Sequence, residues 1–433
     1  MTDILLINPQ PVVMKDLFAE NLMYANPPLG IGYLASAVRD AGYSVQLTDV
    51  GIDKLTIAGI CDLVEQSNTQ IVGISSFIAN HGNGLKIAHA IKQRFGDKVT
   101  VIMGGPHASF VYEEVLRAGD VDIVSIFEGE KTIVELIHCI KEKGDLNTIR
   151  GIAFVDDDNQ IVKTQRREPI QDLDAISFPA WDLFKIDKYQ EPGIILTGRG
   201  CPYKCIFCSA GAIAGGKYRM RSVNNVVDEI ELLNRKYGID KIFIADDTFT
   251  ASAKHCIAIC REIRKRNLHI SWQAEARANT VTDEVASEMV KAGCHHVQIG
   301  AESGDNDILK KIGKNVTTDT IERAVRIFLK HGITVVCSFI LGHPDDTIET
   351  CEKTIRFAKY LRTISGGYTS CKFAILTPLP GTPLYEKKEE LGIKLLTSNW
   401  DNYTFFDTVM ETQNLNRRQI QNLYMKAWAT YAS

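Results

Sequence analysis

The sequence has no apolar run approaching the ~20 residues that a membrane-spanning helix needs. Its start, MTDILLINPQ, has no basic stretch leading into an apolar one, so no secretory leader is expected. Neither sign of charge dominates. Lys and Arg number 49 against 53 Asp and Glu, a net charge of −4, which argues against a broad basic footprint for nucleic acid or anionic lipid. Low-complexity runs and short-period repeats are also absent. With 45% apolar and 24% charged residues, the composition excludes a disordered tail, a collagen and a disulfide-knotted mini-protein. What is left is a cytoplasmic globular protein of two or three domains, with no nucleic-acid partner and no membrane span.

Eleven cysteines are present, and in a reducing compartment they read as thiols or metal ligands before disulfides. Cys61, Cys139, Cys256, Cys260, Cys294, Cys337, Cys351 and Cys371 lie singly, most of them in apolar helix or strand patterns that suit buried thiols. The remaining three stand together.

Residues 1–145 alternate short β-branched runs (DILLI, SVQLTDV, IVGISS, VTVIMGG, DIVSIFEG) with helical patterns, several ending at Gly42, Gly96 or Gly144. That alternation predicts a parallel sheet with helices on both faces, binding ligands at the carboxyl ends of its strands. Residues 146–192 read as a linker that contains a hairpin, GIAFVDDDNQIVKTQ. From 193 to 386 six further strand–helix units follow, too few for a closed eight-stranded barrel and suited to an open, partial one. Residues 387–433 read as a short helical tail.

The clustered cysteines are Cys201, Cys205 and Cys208 in GRGCPYKCIFC, spaced C-x3-C-x2-C just after the first strand of the second half. Three thiolates on one tight loop can hold three corners of a [4Fe–4S] cubane, which normally takes four, and so leave one iron open. Structural zinc is the alternative, but it wants four ligands and no obvious fourth accompanies the triplet. Polar clusters recur after each later strand: ADDTF (245–249), EAR (275–277), GAESG (300–304), FILGHP (339–344) and TPLPGTPLYE (377–386).

With that triplet and those clusters the chain resembles the radical S-adenosylmethionine (SAM) enzymes. The resemblance implies a [4Fe–4S] cluster on Cys201, Cys205 and Cys208, with SAM on the open iron. It implies SAM contacts from Phe207 at the adenine, Asp246 and Asp247 at the methionine amine, Arg277 at its carboxylate, Glu275 and Glu302 at the ribose, and Ser303 beside them. NPPLGIGYLAS (26–36), GGPHAS (104–109) and FEGE (127–130) are similar to the cobalamin-binding domain that precedes the barrel in one large branch of the family. The fold class implied is α/β: a Rossmann-like cobalamin-binding domain, then a partial (β/α)6 barrel, then the tail. Pro28, Gly30, Ser75, Ser76, Phe77, Ile78, Gly104, Gly105, His107, Glu128, Gly129 and Glu130 are the implied cobalamin contacts. None of the ten histidines has an aspartate two residues before it, so the Asp-x-His-x-x-Gly lower ligand is missing. The lower face of cobalamin is expected to meet Phe77, Ile78, Asn80 and His81, with His81 a rival ligand.

The resemblance implies a cobalamin-dependent radical SAM methyltransferase. Reductive cleavage of SAM yields a deoxyadenosyl radical, an unactivated carbon loses hydrogen, and methylcobalamin delivers the methyl group. A low-potential donor of the ferredoxin or flavodoxin type is the implied electron source. A cyclisation or rearrangement using both cofactors on a small molecule or lipid is the alternative. The tail is short, so an open mouth and a peptide or protein substrate are expected, with glutamine C-methylation in methyl-coenzyme M reductase as the specific case.

Overall fold

A computed structural model describes residues 2–12 and 26–432, and the chain divides into two compact units, Met1–Pro192 and Gly193–Ser433.

The first unit is built on strands β1 (Ile4–Asn8), β2 (Val45–Asp49), β3 (Ile71–Ser75), β4 (Thr100–Gly104) and β5 (Ile123–Ser125), parallel in the order 2-1-3-4-5. Their near-continuous apolar character follows from burial on both faces. The two-residue period of a strand divides β1 between two cores. Leu5 and Ile7 pack with Val72, Ile74 and Val101 on one side, while Ile4 and Leu6 pack with Ile71, Ile102 and Ile123 on the other. Each fully buried Leu or Ile contributes about 1.5–3 kcal/mol, so the sheet is held from both faces.

Helix ends follow the sequence only in part. Gly42 and Gly96 take positive φ after their helices, but the helix Glu130–Glu142 ends on Lys143 at φ 53°, one residue before the expected Gly144. Gly144 then closes the turn by donating its N–H to the Cys139 carbonyl at 2.8 Å.

The expected linker is part of this unit. Strands β6 (Ile152–Val155) and β7 (Ile161–Lys163) form the hairpin, and β6 pairs antiparallel with β5, extending the sheet to seven strands. The chain beyond it docks on the helix Leu29–Asp40 and on the end of β2: Ser36 Oγ donates to the Phe178 carbonyl at 2.6 Å, and the Tyr189 hydroxyl to Asp49 Oδ2 at 3.0 Å. An apolar strand edge and a run of buried residues (Ile170, Leu173, Ala180, Trp181, Phe184) leave too little polar surface for a free tether.

The second unit is a six-stranded parallel sheet of β8 (Ile194–Ile195), β11 (Lys241–Ile244), β12 (Ser271–Ala276), β13 (Cys294–Glu302), β14 (Thr334–Leu341) and β15 (Thr369–Ile375), side by side in chain order. The short antiparallel pair β9 (Gly198–Arg199) and β10 (Arg219–Met220) flanks the cysteine loop. Amphipathic helices cover the outer face, several opened by Ser or Thr caps such as Ser222, Thr282 and Thr317. This is the expected partial barrel.

The region after residue 386 is not purely helical. Strands β16 (Lys394–Leu395) and β17 (Met410–Glu411) pair antiparallel, and the helix Arg417–Ala432 then joins the outer layer. There Trp428 meets the Phe373 ring at 5.8 Å and the Tyr431 hydroxyl accepts from the Cys371 N–H at 2.8 Å.

Candidate active site

In a parallel sheet every carboxyl end lies on one edge, and in the second unit that edge carries the cysteine loop. Cys201 and Cys205 are half-buried, Cys208 is exposed, and all three are free thiols. The loop is a tight turn: the Cys208 N–H donates to the Cys205 carbonyl at 3.2 Å, and the Ile206 N–H to the Ile312 carbonyl at 3.1 Å. Gly200, at φ 84°, has no room for a Cβ, which would lie 2.4 Å from the Lys217 carbonyl oxygen. Burial of its sulfur, with Asp247, Cys205 and Cys201 nearby, pushes the Cys208 thiol up to about 11, although the residue as a whole is exposed. Metal uptake by such thiols must release protons.

Among the described residues no three His, Cys, Asp or Glu side chains are gathered to hold a metal ion. In a cubane each thiolate meets a different iron, so three thiols for a cluster need not converge on one point. Three free thiols on one turn beside a buried cation fit that group. The cation is Arg277, 4% exposed, whose guanidinium lies 3.8 Å from the Tyr203 ring centre. Its Nη1 donates to Cys205 Sγ at 3.7 Å and its Nε to Asn279 Oδ1 at 3.0 Å.

The other expected SAM residues separate into two groups. Asp246, 3% exposed, is spent within the fold: Oδ1 accepts from the N–H groups of Thr197 at 2.6 Å and Gly198 at 3.3 Å, and Oδ2 from the Thr197 hydroxyl. It ties the end of β11 to the turn before the cysteine loop, so much of its acceptor capacity is used inside the fold. Burial outweighs these bonds and pushes its carboxyl up to about 6. Ser303 is likewise internal, its hydroxyl 3.2 Å from that of Thr354 and accepting from the Asp305 N–H at 3.1 Å. Asp247 keeps an exposed side chain, though the protein around it raises its carboxyl above the ordinary range.

Glu302 sits at a bulge with φ 65° and pairs with Lys314 at 2.7 Å. A Cβ at Gly300 would lie 2.3 Å from Glu302 Oε1 and 2.6 Å from Lys314 Nζ, so glycine there makes room for the pair. Burial, with Glu302 near, pushes Glu275 up to about 7 against the opposing influence of Lys372, Gln298 and Lys314. Phe207 is half-buried, its ring 6.0 Å from that of His343. Sequence reasoning gave no role to Tyr203 or His343, although both lie within the quoted motifs, and it passed over Lys314, which lies outside them.

The carboxyl edge of the first unit gathers the other set. Ser76 is fully buried and holds the edge together: its N–H donates to the Gly104 carbonyl at 2.7 Å, its carbonyl accepts from His107 at 3.1 Å, and its hydroxyl meets His81 Nδ1 at 2.9 Å. Gly105, at φ 107°, is required because a Cβ would lie 2.7 Å from the Ser76 carbonyl oxygen. Ser76 therefore shapes the loop, with its hydroxyl engaged by His81. His107 is 5% exposed, its ring edge-on to His81 at 4.5 Å; burial and that neighbour hold it down at about 3, hence neutral.

What this edge presents outward is Phe77, 48% exposed, with half-buried Ser75, Ile78, Gly104 and Gly129. Asn80 is buried and accepts from the Phe77 N–H at 2.7 Å, fixing that turn. Pro28 caps the helix Leu29–Asp40, and Gly30 on its first turn is exposed with nothing within 4 Å of an added Cβ. Gly32, which the motif reading passed over, is the crowded glycine there: a Cβ added to it would lie 2.9 Å from the Phe184 ring. Glu128 accepts from the Ile170 N–H at 2.7 Å, and Glu130 is buried. An exposed phenyl group, backbone open at Gly30 and half-buried glycines fit a broad, amide-bearing ring such as a corrin.

The comparisons with known proteins bear on both units. Residues 195–358 match the model of the radical SAM superfamily, and residues 17–137 that of the B12 binding domain. An uncharacterized methyltransferase of Pyrococcus horikoshii is 37% identical over 94% of this chain and 87% of its own length. The anaerobic magnesium-protoporphyrin IX monomethyl ester cyclase of Rubrivivax gelatinosus is 28% identical over 94% of this chain and 73% of its own. The radical SAM methyltransferase TsrM of Kitasatospora setae, solved with cobalamin and a [4Fe–4S] cluster bound, shares the fold at a TM-score of 0.75 and 20% identity, over 99% of this chain and 82% of that one. The chain belongs to the cobalamin-dependent radical SAM methyltransferase family.

Proposed function

We propose that this protein transfers a methyl group from SAM, by way of cobalamin, to an unactivated carbon of a small molecule. The observation that carries the reading is the free cysteine triplet beside a buried arginine, in a chain that also bears a B12 binding domain. When bound, the cluster supplies the electron that cleaves SAM and cobalamin carries the methyl group. A ferredoxin- or flavodoxin-type donor serves as reductant.

The chain's own residues bind and orient. Arg277 directs its guanidinium to the methionine carboxylate, as the planar fork of donors favours. Asp247 accepts from the methionine amine in place of Asp246. Glu302 keeps one oxygen for a ribose hydroxyl while Lys314 holds the other, Glu275 is the second ribose acceptor, and Phe207 flanks the adenine. On the first unit Phe77, Ile78 and the backbone at Ser75, Gly104 and Gly129 would support the corrin.

The alternative, a peptide or protein substrate, rests on an open mouth. Ile393, Leu395 and Met410 pack with Ile206 and Phe207 of the cysteine loop, and the Leu384 N–H donates to the Ile206 carbonyl at 2.9 Å. The chain after 386 therefore walls one side of the mouth. That wall favours a small molecule over a peptide or protein, glutamine C-methylation included. The cyclase relative is named for a porphyrin ester, a small molecule, and it keeps a cyclisation as the rival outcome.

The test is turnover with SAM carrying a deuterated methyl group and fractionated small-molecule extract. A product that gains the labelled methyl supports the reading. Substrate consumption with deoxyadenosine release but no label in the product assigns the protein to the cyclisation or rearrangement class instead.

A further inference from the structure

The inner face of the six-stranded sheet is polar where a packed barrel interior is apolar. On β15, Thr369, Cys371, Phe373 and Ile375 are buried on the helix side: the Cys371 thiol reaches the Ala358 carbonyl of the helix Ile348–Ile364, and Phe373 meets Trp428. Lys372 stands on the opposite, inner face and is exposed. On β13, Val297 and Ile299 are buried while His296 and Gln298 take the alternate positions, and Gln298 is in register with Glu275 of β12. Ser338 of β14 is in register with Lys372.

These side chains form a polar row across the sheet. Lys372 Nζ donates to Gln298 Oε1 at 3.3 Å, and Gln298 stands in register beside Glu275. The Lys372 ammonium thus meets a neutral amide oxygen, and an ammonium carries three donors. The neighbouring charges are already answered or suppressed. Glu302 is paired with Lys314 at 2.7 Å, Glu275 is pushed up to about 7 mainly by burial, and burial with His295 and Lys372 nearby lowers His296. Among the described residues Lys372 forms no ion pair, and its one side-chain partner is the Gln298 amide, so it keeps donors to spare.

We propose that Lys372, braced by Gln298, holds an oxyanion of the substrate, a carboxylate or a phosphate-type group, against the inner face of the barrel. A cationic ligand meets like charge there, and a wholly apolar one strips water from the ammonium without replacing it. The proposal rests on the small-molecule reading for the identity of the ligand as substrate, but its test does not depend on turnover.

Methylphosphonate is titrated into the reconstituted full-length protein in phosphate-free buffer, followed by broadening of its phosphorus resonance, with acetate and neutral acetamide as competitors. Saturable broadening is expected, relieved by acetate and not by acetamide. Lys372→Gln should weaken binding by about tenfold or more, as loss of a charge-assisted contact does, while Lys372→Arg retains it. Iron content and circular dichroism show that each variant is folded. Absence of saturable broadening, competition by acetamide equal to that by acetate, or unchanged binding in Lys372→Gln each overturns the proposal. Failure of the methyltransferase reading is a separate result, seen as missing methyl label with anion binding intact.

Discussion

The guanidinium of Arg277 lies over the ring of Tyr203, 3.8 Å from its centre, and Tyr203 is on the same loop as the three clustered cysteines. The stack fixes a buried cation against Cys205 while leaving donors for a carboxylate. Replacing Arg277 with Ala should weaken SAM binding by about tenfold or more, since a charge-assisted contact is worth ~1.5–3 kcal/mol. The cluster, at about four irons per chain, should remain. Equilibrium binding of SAM with iron analysis measures both, and unchanged SAM affinity contradicts the assignment.

The two adjacent aspartates should behave oppositely. Asp246→Asn replaces one of the two accepting oxygens with an NH2 donor, so the two N–H groups and the Thr197 hydroxyl cannot all keep their bonds, and stability should fall by about 1–3 kcal/mol. Asp247→Asn should leave stability nearly unchanged and weaken SAM binding. Denaturant midpoints and SAM titrations on both variants check the division.

In the first unit, Gly105→Ala forces a Cβ to within 2.7 Å of the Ser76 carbonyl at a positive φ. A cost of about 1–3 kcal/mol is expected, with loss of cobalamin uptake because Ser76 and Phe77 move together. Spectroscopic titration with cobalamin beside thermal unfolding tests this, whereas Gly30→Ala, in open space, should leave stability unchanged.

Glu275 predicts a pH dependence. Its carboxyl lies at about 7 in the folded protein against an ordinary 4.5, chiefly through burial. Between those values the folded protein binds more protons than the unfolded chain, so stability falls as pH rises through that window. In Glu275→Gln that part of the slope should vanish. Unfolding midpoints compared at about pH 5 and about pH 8 read the difference.

The strand–helix rhythm and the cysteine spacing were legible because both are local: a two-residue or helical period and three thiols within eight residues need no knowledge of distant chain. What stayed hidden depends on contacts far along the sequence. Nothing in ADDTF tells which aspartate turns inward, since that is settled by Thr197, forty-nine residues earlier. The hairpin 152–163 reads as a hairpin anywhere, and only the free edge of β5 makes it a sheet extension. Gly30 and Gly32 look alike in LGIG, yet only the second faces Phe184. The closing ribbon has two-residue strands, too short to show alternation, so its packing on Phe207 was out of reach.

The central claim is methyl transfer through both cofactors, and the most direct measurement is the amount of S-adenosylhomocysteine formed against 5′-deoxyadenosine in the same substrate-dependent turnover. One SAM is spent on the radical and another on the methyl group, so the account predicts equal amounts, each matching a product heavier by one methylene. Deoxyadenosine formed with substrate present, but without matching S-adenosylhomocysteine, contradicts it.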